Sequence, residues 1–406
     1  MIHARFALVS VTAGLLLAGS IFAQDADPPR LPIGQKGVDY LSPAISDPVA
    51  RLIADVEAGK TTLAHNESTG YLPALLAALE VPVESQLLLF SRTSLQSRHI
   101  GPKTPRAIYF TDEISIGWIP DAPIIEVMAQ DPVKGSVFYT IPQTADGFQP
   151  RRESQRCNGC HVIQRAAGVP GYIVRSFETD ARGGPVTGKA RITHASPVVD
   201  RWGGWFLTGQ TPKQSHRANL IGPADFEQHA VEPQHRGALA DLSSLTDLSR
   251  YPSRHSDVNA ALVFDHYGDT YNVLMRVNAE QRLEKPLKGM DGLVTALLLL
   301  DEAPLVGPIT GIGGFAEQYL EQGPRDAQGR SLRELDLDTR VYKWGVSPLV
   351  YSQTFRELPD PARREVQTRM TALLDGTAEW TGPERSEDVR RTALEILRET
   401  IPDWPR

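Results

Sequence analysis

Short runs in which apolar and polar residues alternate dominate residues 86–141, and they predict an antiparallel sheet. Ile114, Ile116 and Trp118 alternate with smaller residues, which is the period of two expected of a half-buried strand. Pro, Gly and Asp residues separate this run from its neighbours. The pattern predicts strands at residues 86–90, 107–111, 114–119, 124–129 and 136–141.

Helical periodicity takes over on both sides of this region and predominates toward the C-terminus. Asp47 and Pro48 have the cap and first-turn signature of a helix that ends near residue 58. Ser256 is the predicted N-cap of a long helix over residues 257–284. Further helices are predicted at residues 73–79, at 289–301, from Asp360 to Gly376 and after Ser386.

Cys157-Asn158-Gly159-Cys160-His161 is a C-x-x-C-H motif, and its two cysteines are the only ones in the 406 residues. This is the attachment pattern of a c-type haem, in which two thiols form thioether bonds and the adjacent imidazole ligates iron. A zinc site needs about four ligands, and no second cysteine pair exists. A thioredoxin-like redox pair is the stronger alternative. The motif predicts one covalent haem c per chain, held by Cys157, Cys160 and the proximal iron ligand His161.

The N-terminus has the pattern of a secretory signal peptide. A weakly basic start precedes an apolar run over residues 6–19, and Ile21-Phe22-Ala23 offers a cleavage site. The run is too short and too poorly flanked for a stable membrane anchor, which is the alternative. Covalent haem attachment in bacteria follows export, so the two features support each other. We expect residues 1–23 to be removed and the mature chain to be periplasmic or secreted, without membrane insertion.

The charge of the chain argues against one class of partner. The formal net charge of −7 becomes −8 when residues 1–23 are removed, because they contain Arg5 and no acidic residue. Phosphate binding needs a basic surface, so nucleic acid is not an expected partner. Roughly 380 residues remain, whereas a minimal cytochrome fold needs roughly 100. Most of the chain therefore has another role, if only as a scaffold.

These patterns together predict an α+β fold. An N-terminal antiparallel sheet leads into the c-type haem segment, and the C-terminal half is mainly helical. The predicted regions are a signal peptide at 1–23, a flexible lead-in at 24–45, an α+β region at 46–145, a haem-binding region at 146–250 and a mainly helical region at 251–406.

Two kinds of residue are expected to support the haem. A ligating histidine donates its other ring N–H to a carbonyl, and a rigid turn at residues 168–171 follows His161. Pro170 is the candidate in this turn, with an ordinary turn as the alternative.

Guanidinium groups pair bidentately with carboxylates, so one or two of four flanking arginines are expected to hold the propionates. These are Arg151, Arg152, Arg156 and Arg165.

The sequence leaves the sixth iron ligand open. Methionine would raise the reduction potential, a second histidine would lower it, and an open position would admit substrate. Met275 and Met370 fit helical core patterns, whereas Met128 lies in a strand just before the haem segment. His266 lies on an apolar helix face, where a core role is the usual one. The distal candidates are His194, His216, His266 and Met128.

Four stretches taken together resemble one protein family. They are residues 107–143, the C-x-x-C-H motif with the turn at 168–171, residues 193–219 with Arg201-Trp202-Gly203-Gly204-Trp205, and residues 342–352. The resemblance is to large secreted bacterial c-type cytochromes with one haem and no established function, and it covers roughly residues 70–400. The family carries a second histidine after the position of His266, where this chain has Tyr271-Asn272. The resemblance therefore implies the haem and names no reaction.

Three functions are compatible with these features. The leading prediction is a periplasmic monohaem c-type cytochrome that exchanges single electrons with a redox partner protein or a small-molecule donor or acceptor. The alternative is a c-haem enzyme, a peroxidase or an oxidase of a small molecule, with an open or labile distal position. The size of the chain favours the enzyme, whereas a single haem favours the carrier. A haem-based sensor is the third hypothesis.

Overall fold

The computed structural model describes residues 37–43, 45–187 and 190–406. The predicted signal peptide at 1–23 lies outside the described residues, as do residues 24–36 and 44 of the predicted lead-in. Val38 and Tyr40, near the end of that lead-in, are buried, and Tyr40 Oη donates a 2.9 Å hydrogen bond to the Ser136 carbonyl. The chain is therefore packed at these two residues, which corrects the flexibility predicted for them.

Within the described residues a seven-stranded antiparallel sheet occupies the N-terminal half, in the order β6-β5-β4-β3-β2-β1-β9. Its first five strands confirm the alternating runs: β1 (Leu87–Leu89), β2 (Arg106–Phe110), β3 (Ile114–Trp118), β4 (Ile124–Asp131) and β5 (Gly135–Pro142). Two short strands, β6 (Arg151–Arg152) and β9 (Trp205–Phe206), extend its edges. A separate ladder pairs β7 (Arg175–Ser176) with β8 (Ala190–Arg191).

The helices lie mostly in the C-terminal half, which confirms the α+β prediction. Three precede residue 162: α1 (Pro48–Glu57), α2 (Leu72–Ala78) and α3 (Gln155–His161). The others are α4 (Gly222–Val231), α5 (Val258–Arg282), α6 (Met290–Leu297), α7 (Phe315–Glu321), α8 (Gln353–Arg356), α9 (Asp360–Leu374) and α10 (Glu387–Thr400). No helix in the described part of the chain is long and apolar enough to cross a membrane.

Both faces of the sheet are covered, because alternate side chains of each strand enter different hydrophobic clusters. On one face Ile125 packs in a cluster with Leu52 of α1 and Leu72 of α2. On the other face Ile108 joins a larger cluster that contains Phe264 of α5. The long helix α5 therefore lies over the face of the sheet that also faces the C-x-x-C-H segment.

The start of α5 differs by one residue from the prediction. Asp257 is the N-cap, and its Oδ1 accepts from the Asn259 amide at 2.8 Å. Ser256 Oγ instead donates to the Phe206 carbonyl at 2.6 Å and accepts from the Leu88 amide at 2.9 Å. The Ser256 hydroxyl thus ties the beginning of α5 to the sheet edge.

Candidate functional site

The C-x-x-C-H motif forms the short helix α3. Cys157, Cys160 and His161 stand at positions i, i+3 and i+4, which places their side chains on one face of the helix. All three line one cavity, whereas Asn158 and Gly159 do not. One helical turn therefore presents two thiols and an imidazole to a common space.

The cavity beside α3 has a volume of about 320 Å³, which is within the range of cofactor sites. One wall is the sheet face that looks toward α5, and the rest of the lining comes from residues 91–95, α3, residues 172–177, β9 and α5. Apolar and aromatic side chains predominate, as expected for a site that takes a large apolar group. They include Leu89, Ile108, Phe138, Tyr172, Val174, Phe177, Trp205 and Phe264.

Met128 lines this cavity from the middle of β4. Successive side chains of a strand point to opposite faces. Ile125 and Ala129 are fully buried in the cluster beneath α1 and α2, whereas the half-buried Glu126 and Met128 face the cavity. Of the four distal candidates, Met128 is the one that the structure brings to the cavity of His161.

Phe138 connects the strand of Met128 to the imidazole of His161. In the β4–β5 register Phe138 lies directly opposite Met128. Its ring packs against the His161 ring with a centroid distance of 4.6 Å. The side chain next to Met128 in the sheet is therefore in contact with His161.

His161 is held by a reciprocal pair of hydrogen bonds with Gly171. The Gly171 amide donates to the His161 carbonyl at 2.9 Å, and His161 Nδ1 lies 2.8 Å from the Gly171 carbonyl oxygen. Because a carbonyl only accepts, Nδ1 carries the proton and Nε2 keeps its lone pair. Nε2 has no hydrogen-bond partner among the described residues. This is the state of a histidine that is ready to ligate a metal.

Pro170 is not the acceptor for the histidine, which corrects the prediction for that position. Its carbonyl accepts from the Ser136 amide at 3.3 Å instead. A β-bridge between Val162 and Pro170 closes the loop, and the next residue, Gly171, turns its carbonyl toward the ring. The predicted turn supplies the expected contact one residue later.

Burial controls the protonation of both kinds of group in the motif. It is the main reason that the pKa of His161 is lowered, with smaller contributions from Arg106 and Arg175, while the Gly171 contact opposes it. Burial, followed by Glu153 and Glu126, raises the pKa of the Cys157 thiol to about 11. A redox-active pair needs a lowered thiol pKa, so this environment argues against the thioredoxin-like alternative.

Three guanidinium groups of the described chain line the cavity: those of Arg106, Arg156 and Arg175. Arg106 Nη1 lies 3.4 Å from Glu126 Oε2, while its buried Nε has no hydrogen-bond partner among the described residues. The Arg175 side chain has neither an ion pair nor a hydrogen bond there. The cavity thus contains cationic donors that other described side chains leave unused.

One or two of four flanking arginines are expected to hold the propionates, and of the four only Arg156 lines the cavity. Arg165 forms a bidentate pair with Asp269, at 3.1 and 2.8 Å. Arg152 donates to the carbonyls of Tyr40 and Ser42, and Arg151 is exposed on β6 outside the cavity. Arg156 is therefore the one of the four whose position fits the expected role.

His194 and His266 lie outside the cavity and are hydrogen-bonded to each other, so the geometry does not support their prediction as distal ligands. Their Nδ1 atoms are 3.3 Å apart. His194 Nε2 lies 2.9 Å from Asp301 Oδ1, and His266 Nε2 lies 2.6 Å from Ser347 Oγ. Coordination of iron would break buried hydrogen bonds that both rings already make.

The contacts of His216 do not support a ligand role either. Its Nε2 lies 3.1 Å from Thr211 Oγ1, and its Nδ1 accepts from the Ala218 amide at 3.2 Å. Burial lowers the pKa of His216 to about 3. His216 is therefore a neutral core residue outside the cavity, a position that does not favour its prediction as a ligand.

Sequence reasoning missed three charged residues of the cavity. Glu126 stands two positions before Met128, so strand alternation could have placed both on one face. Arg106 begins β2 one residue before the predicted strand, and Arg175 lies in a two-residue strand that has no pattern to detect. Only Glu126 therefore had a usable signal.

Three comparisons with known proteins found no match to this chain, whether among family models, curated proteins or solved structures. No group of three or more His, Cys, Asp and Glu side chains in the described residues could hold a metal ion by itself. The resemblance to secreted single-haem c-type cytochromes therefore stays a prediction, and it depends on the residues of the motif.

Proposed function

We propose that the protein is a monohaem c-type cytochrome whose haem lies in the cavity beside α3. The observation that carries this proposal is the convergence of two thiols and the free Nε2 of His161 on one apolar cavity. Attachment adds each S–H bond of Cys157 and Cys160 across one vinyl group, sulfur to one carbon and hydrogen to the other, so it needs no oxidant. His161 is the proposed proximal ligand.

The remaining lining fits the same group. A haem carries two carboxylates on an otherwise apolar plate, and bound in this cavity it supplies a one-electron iron couple. Arg175 and the unpartnered Nε of Arg106 offer donors for those carboxylates. Apolar side chains such as Phe177 and Trp205 exclude water from the plate.

The carrier function rests on Met128. If a methionine and a histidine both held the iron, the reduction potential would be raised and no position would be left open for a substrate. Met128 is a thioether on the cavity wall, one strand from the ring that packs on His161. We therefore assign Met128 as the sixth ligand and single-electron transfer as the function, with a redox partner protein or a small molecule as donor and acceptor.

One observation favours a second candidate, a c-haem enzyme acting on peroxide or another small molecule. Glu126 and Arg106 form an ion pair on the cavity wall, and each side chain is 19% exposed. A carboxylate beside a guanidinium can hold a substrate and move a proton. This candidate requires that Met128 does not stay on the iron.

The proposal includes export of the chain with cleavage near residue 23, so that attachment and electron transfer take place in the periplasm or outside the cell. The C-x-x-C-H motif and the apolar N-terminal segment support this setting jointly.

The coordination of the haem iron distinguishes the electron carrier from the enzyme. The chain should be produced with a cytochrome c maturation system, and absorption and resonance Raman spectra recorded in both oxidation states. A six-coordinate low-spin haem that does not react with carbon monoxide or peroxide supports the electron-carrier function. A five-coordinate high-spin haem that reacts with either supports the enzyme and contradicts the assignment of Met128.

A further inference from the structure

Asn272, in the middle of α5, holds the backbone of the residue that follows Gly171. Its Oδ1 accepts from the Tyr172 amide at 2.9 Å, and its Nδ2 donates to the Tyr172 carbonyl at 3.1 Å. The Asn272 side chain is buried, and so is Tyr172. Two hydrogen bonds to one residue fix the position and the direction of that segment of backbone.

Gly171 packs directly against the same amide. A Cβ atom at Gly171 would lie 2.2 Å from Asn272 Oδ1, so a side chain there would collide with it. Gly171 in turn exchanges two hydrogen bonds with His161. A continuous series of contacts therefore links α5 to Nδ1 of His161.

We propose that Asn272 is a positioning residue that sets the tautomer of His161. By holding residues 171–172 it keeps the Gly171 carbonyl directed at Nδ1, and thereby keeps the proton on Nδ1 and the lone pair on Nε2. A neutral imidazole has two tautomers, and the partner of one nitrogen selects between them. The consequence for iron rests on the proposed function, whereas the tautomer is a property of the chain alone.

The test compares two buried asparagines of α5. Asn278 is a matched control, since its Nδ2 donates to the carbonyls of Pro132 and Val133 at 2.9 and 3.3 Å and it has no hydrogen bond with residues 171–172 or His161. The full chain is prepared without haem and labelled with ¹⁵N, and the imidazole resonances of His161 are identified by their loss in His161→Gln. The tautomer ratio is then read from the two ring nitrogens.

Wild type and Asn278→Ala are expected to show the proton on Nδ1. Asn272→Ala is expected to shift the ratio toward the Nε2–H tautomer by roughly 3- to 10-fold, as for the loss of one neutral hydrogen bond. Asn272→Asp keeps the acceptor for the Tyr172 amide and loses the donor to its carbonyl, so a smaller shift is expected. If Asn272→Ala does not fold, the tautomer ratio of His161 is measured in Asn272→Asp instead.

An unchanged tautomer in the folded Asn272 variants would overturn the proposal, and so would an equal shift in Asn278→Ala. Because the measurement is made without haem, a failure of haem attachment leaves it intact. In haem-loaded protein the lost Nδ1–H···O contact makes the imidazole a weaker donor, so the midpoint potential of Asn272→Ala should rise while that of Asn278→Ala does not.

Discussion

Met128 of β4 and His161 of α3 line the same cavity, and Phe138 connects them. Phe138 is the direct neighbour of Met128 in the sheet, and its ring packs against the imidazole at 4.6 Å. A methionine and a histidine whose Nε2 has no hydrogen-bond partner among the described residues thus line one mainly apolar cavity, although 33 positions separate them in the sequence. The account of function depends on this arrangement.

Removal of the Met128 thioether should leave the sixth coordination position of the iron vacant. Met128→Leu keeps a side chain of similar volume, so the loss of the sulfur is its main effect. We expect a five-coordinate, high-spin haem that binds carbon monoxide, measured by absorption and resonance Raman spectroscopy. Met275→Leu is the control, because Met275 is buried in α5 outside the cavity. A Met128→Leu spectrum equal to that of wild type would remove Met128 from the ligand set.

The Cys157 thiol should be a poor nucleophile in the chain without haem. Its pKa is raised to about 11, mainly by burial, so only about one molecule in 10³ carries the thiolate at pH 8. The alkylation rate of Cys157, isolated in a Cys160→Ser variant, should rise about tenfold per pH unit up to pH ~11. A rate that levels off near pH 7 would restore the redox-pair interpretation.

Arg175 should stabilise the protein only when haem is bound. Its guanidinium has no partner in the described part of the chain, so Arg175→Gln should leave the thermal stability of the chain without haem unchanged. Loss of a charge-assisted contact to a carboxylate should cost the loaded protein about 1.5–3 kcal/mol, measured by thermal unfolding of both forms. Arg151, an exposed residue of β6, provides the control: Arg151→Gln should change the stability of neither the loaded nor the unloaded protein. Equal destabilisation of the two forms by Arg175→Gln would contradict a role in binding.

Acid should destabilise the fold through His216. Burial lowers its pKa to about 3, so between pH ~6.5 and ~3 the unfolded chain binds a proton that the folded chain does not. The free energy of unfolding should therefore fall as pH falls through that window, by up to about 1.4 kcal/mol per pH unit for this group. Burial also lowers the pKa of His266, which acts in the same direction.

His216→Gln removes one of these groups and should flatten the pH dependence, at a cost of about 1–3 kcal/mol near pH 7 because Thr211 and Ala218 lose a partner. Chemical denaturation at several pH values measures both effects. An unchanged slope would show that His216 does not titrate as described, and a changed haem spectrum would contradict its placement outside the site.

The central sheet could be predicted because its signal is local. Ile114, Ile116 and Trp118 alternate within one strand, and the same pattern marks its neighbours. The N-cap of α5 was misplaced by one residue because the Ser256 hydroxyl is used by Phe206 and Leu88, which are distant in sequence. Local patterns carry no information on such contacts.

Of the candidate site, only the residues of the C-x-x-C-H motif could be predicted from the sequence. Spacing places Cys157, Cys160 and His161 on one face, but it does not tell which distant residue meets them. His266 lies on an apolar helix face, where a core role is the usual one, and its contact with Ser347 agrees with that role. Met128 was ambiguous until the register of β4 fixed the face that it occupies.

Intact-mass measurement of the chain produced with a cytochrome c maturation system tests the central claim most directly. The account predicts a mature chain that carries the mass of one haem after denaturation, and loss of that mass in Cys157→Ala/Cys160→Ala. A chain without covalent haem, in cells that load another c-type cytochrome under the same conditions, would contradict it.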